Sequence, residues 1–198
     1  EPEIFNLVDA LRSMGAIIEA DGTGVIRIQG VEGLKSSSAN IIPDRVEAST
    51  YILAGAATNG EVTVANIIPN HIDSLLAKLE EAGALLSVSD TEVTIYPSGR
   101  LKSVSLKTLP YPGFPTDLQP QVMAALCLAE GTSVVQESVF QSRFLHVSEL
   151  NKITIGNPSE SASASTASIS RSGSGRSAGG IQVASTQPGS QPRSRHRA

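Results

Sequence analysis

The sequence predicts an α/β protein built from repeated helix–strand units. Residues 4–30 and 72–97 each contain apolar residues at helical spacing, a Gly-Ala stop and two strands around a polar turn. Residues 41–67 and 113–139 form a second pair, in which proline and aspartate precede an apolar helix, a glycine and a valine-rich strand. The two pairs interleave with a period of about 70 residues, and such recurrence is typical of stacked copies of one unit.

The ends of these predicted elements carry recognisable signals. Gly15 and Gly83 follow the last apolar turn of the first helix in each copy, where glycine commonly ends a helix. The β-branched alternation at residues 25–28 and 93–96 follows a turn and predicts the second strand of a hairpin. Neither of the common glycine-rich phosphate-binding motifs follows a predicted strand, so a single βαβ nucleotide-binding fold is not indicated.

The charge of the chain is unevenly distributed. The 198 residues have a net charge of −4, but residues 154–198 contain one glutamate and five arginines, a balance of +4. Residues 1–153 therefore carry −8. An acidic body argues against a nucleic-acid binder, since phosphate backbones are held by clustered lysine and arginine. A small anionic substrate remains compatible with it, because a few local arginines can bind one.

Cysteine and histidine usage gives no sign of a disulfide or a metal site. The single cysteine, Cys127, fits a reducing compartment and lies in an apolar helical stretch, so we expect a small core residue. His71 and His146 have no partners at metal-ligand spacing. No apolar run approaches the roughly 18–20 residues of a transmembrane helix. The Glu-Pro-Glu start indicates a fragment or a processed product.

The periodic pattern stops near residue 153. The segment HVSELNKI, beginning at His146, predicts a last helix, and residues 154–198 are rich in Ser, Gly and Ala. This composition predicts a disordered tail, because it buries too little to offset the entropy of ordering. The abrupt change favours a truncated or misjoined reading frame, and an arginine-serine interaction tail is the alternative.

Asp44 and Asp117 are the two carboxylates that the repeat singles out. Each comes shortly after a proline and just before an apolar helix, which predicts an N-cap role for both. A carboxylate at a helix N-terminus that faces a cleft can also act as a base toward a bound hydroxyl. Arg143 lies on a predicted loop, where it is either a solvated side chain or a fork for a carboxylate or phosphate.

Several segments together resemble one enzyme family. EPEI, IPDRVEASTYILAGAATNGEV, HIDSLLAKLEEAGA, FPTDLQPQ and ESVFQSRFLHVSEL keep the order and spacing found in UDP-N-acetylglucosamine 1-carboxyvinyltransferases. The resemblance runs from Glu1 to about Lys152. The 5-enolpyruvylshikimate-3-phosphate synthases share the fold, but FPTDLQ with SRFLHVSEL is similar to the cell-wall branch.

The resemblance implies the two-lobed enolpyruvyl transferase fold, an inside-out α/β barrel with its active site between the lobes. Residues 1–42 would close the first lobe, residues 43–153 would open the second, and residues 154–198 would form the tail. The implied enzyme transfers the enolpyruvyl group of phosphoenolpyruvate to the 3-hydroxyl of UDP-N-acetylglucosamine, the first committed step of peptidoglycan synthesis. It implies no cofactor or metal, no membrane or nucleic-acid partner, and a cytoplasmic location with a plastid as the alternative.

The same resemblance implies roles for five residues. Asp117 matches the aspartate that serves as the base for the sugar hydroxyl. Val139 matches a residue lining the uridine-sugar site, and Arg143 matches an arginine facing phosphoenolpyruvate. Glu1 and Asp44 match acidic residues near the cleft. Asp117 is therefore expected to be a cap and a base together.

The chain departs from the family pattern in what it contains. The family's catalytic cysteine loop, its lysine-asparagine pair and its first-lobe arginines have no counterpart here, and Cys127 matches a helix interior. A later aspartate–arginine segment would fall in residues 154–198, where low-complexity sequence stands instead. We therefore expect an internal fragment that is inactive alone. The alternatives are a non-catalytic remnant that weakly binds a partner or sugar nucleotide, and an RNA-associated protein that uses the Ser/Arg tail.

Overall fold

The computed structural model describes residues 1–20, 22–140, 143–154, 170–171 and 180–185. The helices in this part of the chain are α1 (Pro2–Ser13), α2 (Arg45–Thr58), α3 (Asp73–Glu81), α4 (Gln119–Leu126) and α5 (His146–Thr154), with short 3-10 turns at Pro69–Ile72 and Thr116–Leu118. The strands are β1 (Ile17–Ala20), β2 (Ile26–Gln29), β3 (Val62–Ala65), β4 (Leu85–Val88), β5 (Glu92–Tyr96), β6 (Leu106–Lys107), β7 (Thr132–Glu137), β8 (Ser170–Arg171) and β9 (Gly180–Ser185).

The repeated unit predicted from the sequence is present in the fold. Helix α1 is followed by β1 and β2, helix α3 is followed by β4 and β5, and α2 and α4 each precede one strand. Both copies of the first helix end at a glycine with a left-handed backbone, Gly15 at φ 98° and Gly83 at φ 87°. Any side chain would be strained in this conformation, which explains the glycine at both positions.

The described strands form three separate sheets. Strands β1 and β2 form an antiparallel pair, and β3, β5 and β4 form an antiparallel sheet in that order. Strands β6, β7, β9 and β8 form a parallel sheet, in which β7 pairs with β9 along its whole length. The carboxyl ends of β6 and β7 therefore lie side by side, and the loops that follow them meet at one edge.

The sequence predicts no regular structure for residues 154–198, but the structure contains two strands in this range. Strands β8 and β9 belong to this range and join the parallel sheet. Strand β9 contains the β-branched residues Ile181 and Val183, which suit a strand, and it pairs with β7 over six residues. The remaining residues from 155 to 198 lie outside the described residues, so disorder there stays a prediction.

One hydrophobic core joins elements between residues 48 and 135. Ile52 of α2, Leu75 of α3, Ile95 of β5, Met123 of α4 and Val135 of β7 are almost fully buried in it. Removing such side chains from water is the main favourable contribution to folding. The core therefore fixes α4 and the end of β7, the elements next to the candidate site.

Residues 1–42 contribute little to that core. Val8 and Ile18 are the buried hydrophobic side chains among the described residues of this range. Ten large hydrophobic side chains of the same range are exposed, namely Ile4, Phe5, Leu7, Ile17, Val25, Ile26, Ile28, Val31, Leu34 and Ile41. Much of the apolar surface of residues 1–42 thus has no covering neighbour in the described structure.

The two aspartates at matching repeat positions differ in their capping role. Asp44 caps α2 as predicted, since its Oδ1 accepts from the amides of Val46 at 2.7 Å and Glu47 at 3.1 Å. Asp117 makes no side-chain contact of this kind to α4 or to the preceding 3-10 turn. The predicted cap at Asp117 is therefore wrong.

The start of α4 explains why Asp117 cannot cap it. A capping side chain at position 117 would need the amides of residues 119 and 120. The amide of Gln119 already donates to the carbonyl of Thr116, and Pro120 has no amide hydrogen. The 3-10 turn and α4 thus offer no backbone amide to the Asp117 carboxylate.

None of the helices in the described part of the chain is long and apolar enough to cross a membrane.

Candidate active site

Asp117 and Arg143 form an ion pair at the surface. Nη1 of Arg143 donates to Oδ1 of Asp117 at 2.7 Å, although 26 residues of chain separate the two. The side chain of Asp117 is 59% exposed and that of Arg143 is 37% exposed. No group among the described residues donates to Oδ2 of Asp117, so this oxygen can accept a proton or hydrogen bond from a ligand.

A buried carboxylate, Glu137, lies behind this ion pair at the end of β7, and it is 1% exposed. Its Oε2 accepts from Oγ1 of Thr116 at 2.9 Å, and its Oε1 accepts from Oγ1 of Thr108 at 2.7 Å. Nη1 of Arg143 also donates to Oγ1 of Thr116, at 3.2 Å. Glu137, Thr116, Arg143 and Asp117 therefore form a continuous hydrogen-bonded chain from the core to the surface.

Glu137 also holds the loop that follows β7. Its Oε1 accepts from the amides of Val139 at 2.8 Å and Phe140 at 3.1 Å. Burial opposes ionisation of Glu137, but the hydrogen bonds from Thr108, the two loop amides and Thr116 outweigh it and lower the pKa of this carboxyl. At neutral pH Glu137 is therefore an acceptor of hydrogen bonds only.

Three of the five residues singled out by the sequence line one cleft. Glu1, Asp44 and Asp117 border a cleft of about 620 Å³, together with residues of α1, residues 41–43 and the start of α2. This volume is within the range typical of small-molecule sites. The structure thus places Asp117 on the same cleft as two acidic residues that lie far from it in the sequence.

Arg45 contributes a cationic side chain to this cleft. Its Nε donates to Oε1 of Glu3 at 2.7 Å, and its Nη2 lies 3.6 Å from Oε1 of Glu1. Its guanidinium carbon lies 5.3 Å from the centre of the Tyr111 ring, and the side chain is 10% exposed. Burial raises the pKa of Glu3, but the hydrogen bond from Arg45 helps to reverse this effect, and the net pKa is lowered. These contacts join α1 to the start of α2.

Val139 and Arg143 lie in the segment after β7, close to the Asp117 turn. The amide of Val139 donates to Glu137, while its side chain is exposed. The guanidinium carbon of Arg143 lies 5.4 Å from the centre of the Phe140 ring. Arg143 therefore contacts Asp117 directly, and Val139 joins the same network through its amide bond to Glu137. Glu1 and Asp44 share a cleft with Asp117.

The histidine and cysteine considered in the sequence do not belong to this arrangement. Nε2 of His146 lies 3.2 Å from Sδ of Met123, and burial together with the nearby Arg143 lowers the pKa of His146. Burial raises the pKa of the half-buried Cys127 thiol, which favours its unreactive protonated form. Within the described ranges, no cluster of three or more His, Cys, Asp or Glu side chains could hold a metal ion.

Sequence reasoning missed Glu137, Thr116 and Arg45. A signal for Glu137 exists, because it alternates in phase with Val135, and a carboxylate on the buried face of a strand needs several donors. Arg45 has no comparable signal, since its partner Glu3 lies 42 residues away. Thr116 is an ordinary turn residue in sequence, and only its position between Glu137 and Arg143 distinguishes it.

The sequence matches the family described as EPSP synthase (3-phosphoshikimate 1-carboxyvinyltransferase) over residues 1–169. Over 153 residues it is 46% identical to UDP-N-acetylglucosamine 1-carboxyvinyltransferase 1 of Carboxydothermus hydrogenoformans and 50% identical to UDP-N-acetylglucosamine 1-carboxyvinyltransferase 2 of Geobacillus kaustophilus. Each match covers 77% of this chain and 36% of the relative. The chain therefore spans about a third of the length of these enzymes.

The fold gives a matching result. It is similar to the crystal structure of the enolpyruvyl transferase NikO from Streptomyces tendae, with a TM-score of 0.64 and 27% identity. That similarity covers 75% of this chain and 36% of the other. The resemblance inferred from the sequence motifs is thereby confirmed, and the chain belongs to the EPSP synthase family.

Proposed function

We propose that residues 1–153 are a segment of an enzyme that transfers enolpyruvyl from phosphoenolpyruvate to the 3-hydroxyl of UDP-N-acetylglucosamine. In this reaction the sugar oxygen bonds to the carbon that carried the phosphate, and phosphate leaves. The 46–50% identity to enzymes named for this activity supports the substrate class. The observation that carries the proposal is the exposed Asp117 carboxylate on a cleft of small-molecule size.

Asp117 is the proposed base for the sugar hydroxyl. The hydroxyl must lose its proton as its oxygen attacks, and a base has to lie within hydrogen-bond reach of that proton. In the described structure Oδ1 of Asp117 is occupied by Arg143 and Oδ2 has no protein partner. This arrangement fixes the direction of the carboxylate while one oxygen stays available to a substrate.

Arg143 is the proposed contact for the phosphoenolpyruvate side. Its contacts to Asp117 and Thr116 both use Nη1, and no group in the described part of the chain accepts from its Nη2 or Nε. A guanidinium presents several donors in a planar fork, which suits a carboxylate or a phosphate. Arg143 can therefore hold Asp117 with one nitrogen and bind an anionic substrate with the others.

Val139, Asp44 and Glu1 are proposed to lie on the substrate-binding surface. Val139 offers an exposed apolar side chain on a loop whose backbone is fixed by Glu137, which suits contact with the uridine-sugar part. Asp44 and Glu1 line the cleft beside Asp117. We place the change from first to second lobe between residues 42 and 43, next to the Arg45 contacts that join α1 to α2.

The 198-residue chain alone is proposed to have no turnover, because it spans 36% of the length of enzymes with this activity. As a segment of such an enzyme it would take part in cell-wall synthesis in the cytoplasm, without a cofactor. The second candidate is a non-catalytic remnant, and the exposed apolar surface of residues 1–42 favours it for the chain on its own.

The test is an exchange of segments. The hybrid enzyme consists of the Geobacillus kaustophilus relative with residues 1–153 of this chain in place of the matching 153 residues. We expect phosphate release that requires both phosphoenolpyruvate and UDP-N-acetylglucosamine. A hybrid enzyme that melts cooperatively but releases no phosphate would contradict the proposal and support the remnant.

A further inference from the structure

We propose that Glu137 is a positioning residue for the Asp117–Arg143 pair and acts through the hydroxyl of Thr116. Glu137 itself is buried and is separated from the pair by two hydrogen bonds through the hydroxyl of Thr116, so it is not a candidate for substrate contact. The proposal rests on the function proposed for Asp117, but the coupling between these four side chains can be measured without turnover.

The direction of the hydrogen bonds carries the inference. A threonine hydroxyl has one proton, and that of Thr116 is donated to Oε2 of Glu137 at 2.9 Å. The Thr116 oxygen can then only accept on its other side, where Nη1 of Arg143 donates to it at 3.2 Å. The same nitrogen donates to Oδ1 of Asp117 at 2.7 Å. The negative charge of Glu137 thereby fixes the orientation of the Thr116 hydroxyl, whose oxygen is left to accept from Arg143.

Glu137 is itself held by more contacts than the pair it supports. Thr108 donates to its Oε1 at 2.7 Å, and the amides of Val139 and Phe140 donate to the same oxygen at 2.8 and 3.1 Å. Thr108 is fully buried, and its hydroxyl oxygen accepts from the amide of Ser138 at 2.9 Å. The carboxylate is thus rigid relative to β6 and β7, whereas the side chain of Asp117 is 59% exposed and that of Arg143 is 37% exposed.

A partly exposed ion pair gains geometric precision only if something behind it restricts its motion. Exposed Arg–carboxylate pairs are typically weak and mobile because both side chains lose entropy when they are held. A side chain that is locked by supporting hydrogen bonds keeps a reacting group within a fraction of an ångström of its productive position. Glu137 supplies this restriction, and Thr116 transmits it to Arg143.

The experiment uses the full 198-residue chain with ¹⁵N-labelled arginine and measures the rotation rate of the Arg143 guanidinium by NMR. The Arg143→Lys variant identifies its signal. Glu137→Gln keeps the shape but replaces the charge with an amide that presents a donor toward Thr116. Glu130→Gln removes an exposed carboxylate just before the start of β7, whereas Glu137 lies at its end, and serves as the matched control. The signal of Arg45 at the start of α2 and the circular dichroism spectrum report whether each variant remains folded.

We expect the rotation rate in Glu137→Gln to rise roughly 2- to 10-fold over Glu130→Gln, the rate equivalent of one hydrogen bond of modest net strength. Thr116→Val, which removes the hydroxyl, should raise the rate as much, and Thr116→Ser should restore the original rate. In the double variant with Glu137→Gln and Thr116→Val, the Arg143 guanidinium should rotate no faster than in either single variant, because both substitutions break the same connection.

Equal rates in Glu137→Gln, Thr116→Val and the control would overturn the inference. If Glu137→Gln does not fold, the Thr116→Val and Thr116→Ser pair decides the question alone, since this side chain is only half-buried. An inactive hybrid enzyme with normal coupling would sink the proposed function and leave the coupling intact. An active hybrid enzyme in which the variants leave the rotation rate unchanged would support the proposed function and overturn the coupling.

Discussion

Nη1 of Arg143 donates to Oδ1 of Asp117 at 2.7 Å, so the carboxylate ahead of α4 is held by a side chain from the segment after β7. At the matching position of the other unit, Asp44 is held by the backbone amides of α2. The two aspartates therefore occupy the same place in the repeat and do different work. Asp44 stabilises a helix, and Asp117 borders the cleft with an Oδ2 that accepts from no group among the described residues.

The first prediction compares alanine and asparagine variants at the two positions in the full chain. Asparagine caps about as well as aspartate, so Asp44→Asn should melt near the wild type, while Asp44→Ala should lose about 0.5–2 kcal/mol. At position 117 no cap exists, so the alanine and asparagine variants should melt at the same temperature. Each should lose at most about 1 kcal/mol, the typical range of an exposed ion pair.

Thermal unfolding followed by circular dichroism measures these differences. The decisive quantity is the difference in melting temperature between the alanine and asparagine variants at each position. Both substitutions remove the negative charge, so this difference reports the capping ability alone. A gap at position 117 as large as that at position 44 would show that Asp117 caps α4 in solution.

The second prediction concerns acid. Because the folded protein holds the pKa of Glu137 below its ordinary value of 4.5, the ionised group stabilises the fold above that pH. This stabilisation is lost as the pH falls from about 4.5 through the folded pKa. Glu137→Gln has no such group, so its melting temperature should fall less steeply over this range than that of the wild type.

The control for the acid series is Glu130→Gln, which keeps Glu137 and should follow the wild-type curve. Melting temperatures at steps between pH 6 and pH 3 give the slope for each protein. Parallel curves for Glu137→Gln and the wild type would mean that Glu137 ionises equally easily in the folded and unfolded chains.

The third prediction concerns the apolar surface of residues 1–42. Ile26 and Ile28 point to the same face of β2, and both are exposed, Ile28 by 71%. Contiguous exposed apolar surface promotes association, so the 198-residue chain should self-associate. Replacing both isoleucines with threonine should lower the average mass in sedimentation equilibrium. A monomeric wild-type chain would refute this.

The repeat shows what sequence patterns can establish for this chain. Glycine after an apolar helix depends on local backbone conformation, so Gly15 and Gly83 could be predicted from sequence and were confirmed as left-handed. The Asp44 cap is local as well, since it contacts amides two and three residues away. Local physics of this kind is present in the sequence itself.

The candidate site depends on contacts that no local pattern contains. The Asp117 cap failed because one proline at position 120 and one 3-10 hydrogen bond remove the amides that it would need. The contacts of Arg143 with Asp117 and of Arg45 with Glu3 join residues 26 and 42 positions apart. These pairings follow from how the units pack, so the residues could be singled out by resemblance but their partners could not.

The most direct test of the central claim is the rate of phosphate release by the hybrid enzyme with Asp117→Asn. Loss of a positioned base should lower turnover about 10²- to 10⁴-fold. Melting should be nearly unchanged, because Asp117 caps no helix. Asp44→Asn should slow turnover less, and Glu130→Gln should leave it unchanged. A fall in this range, at saturating substrates and unaltered stability, is the result that we predict. Full turnover in Asp117→Asn would contradict the assignment of Asp117 as the base.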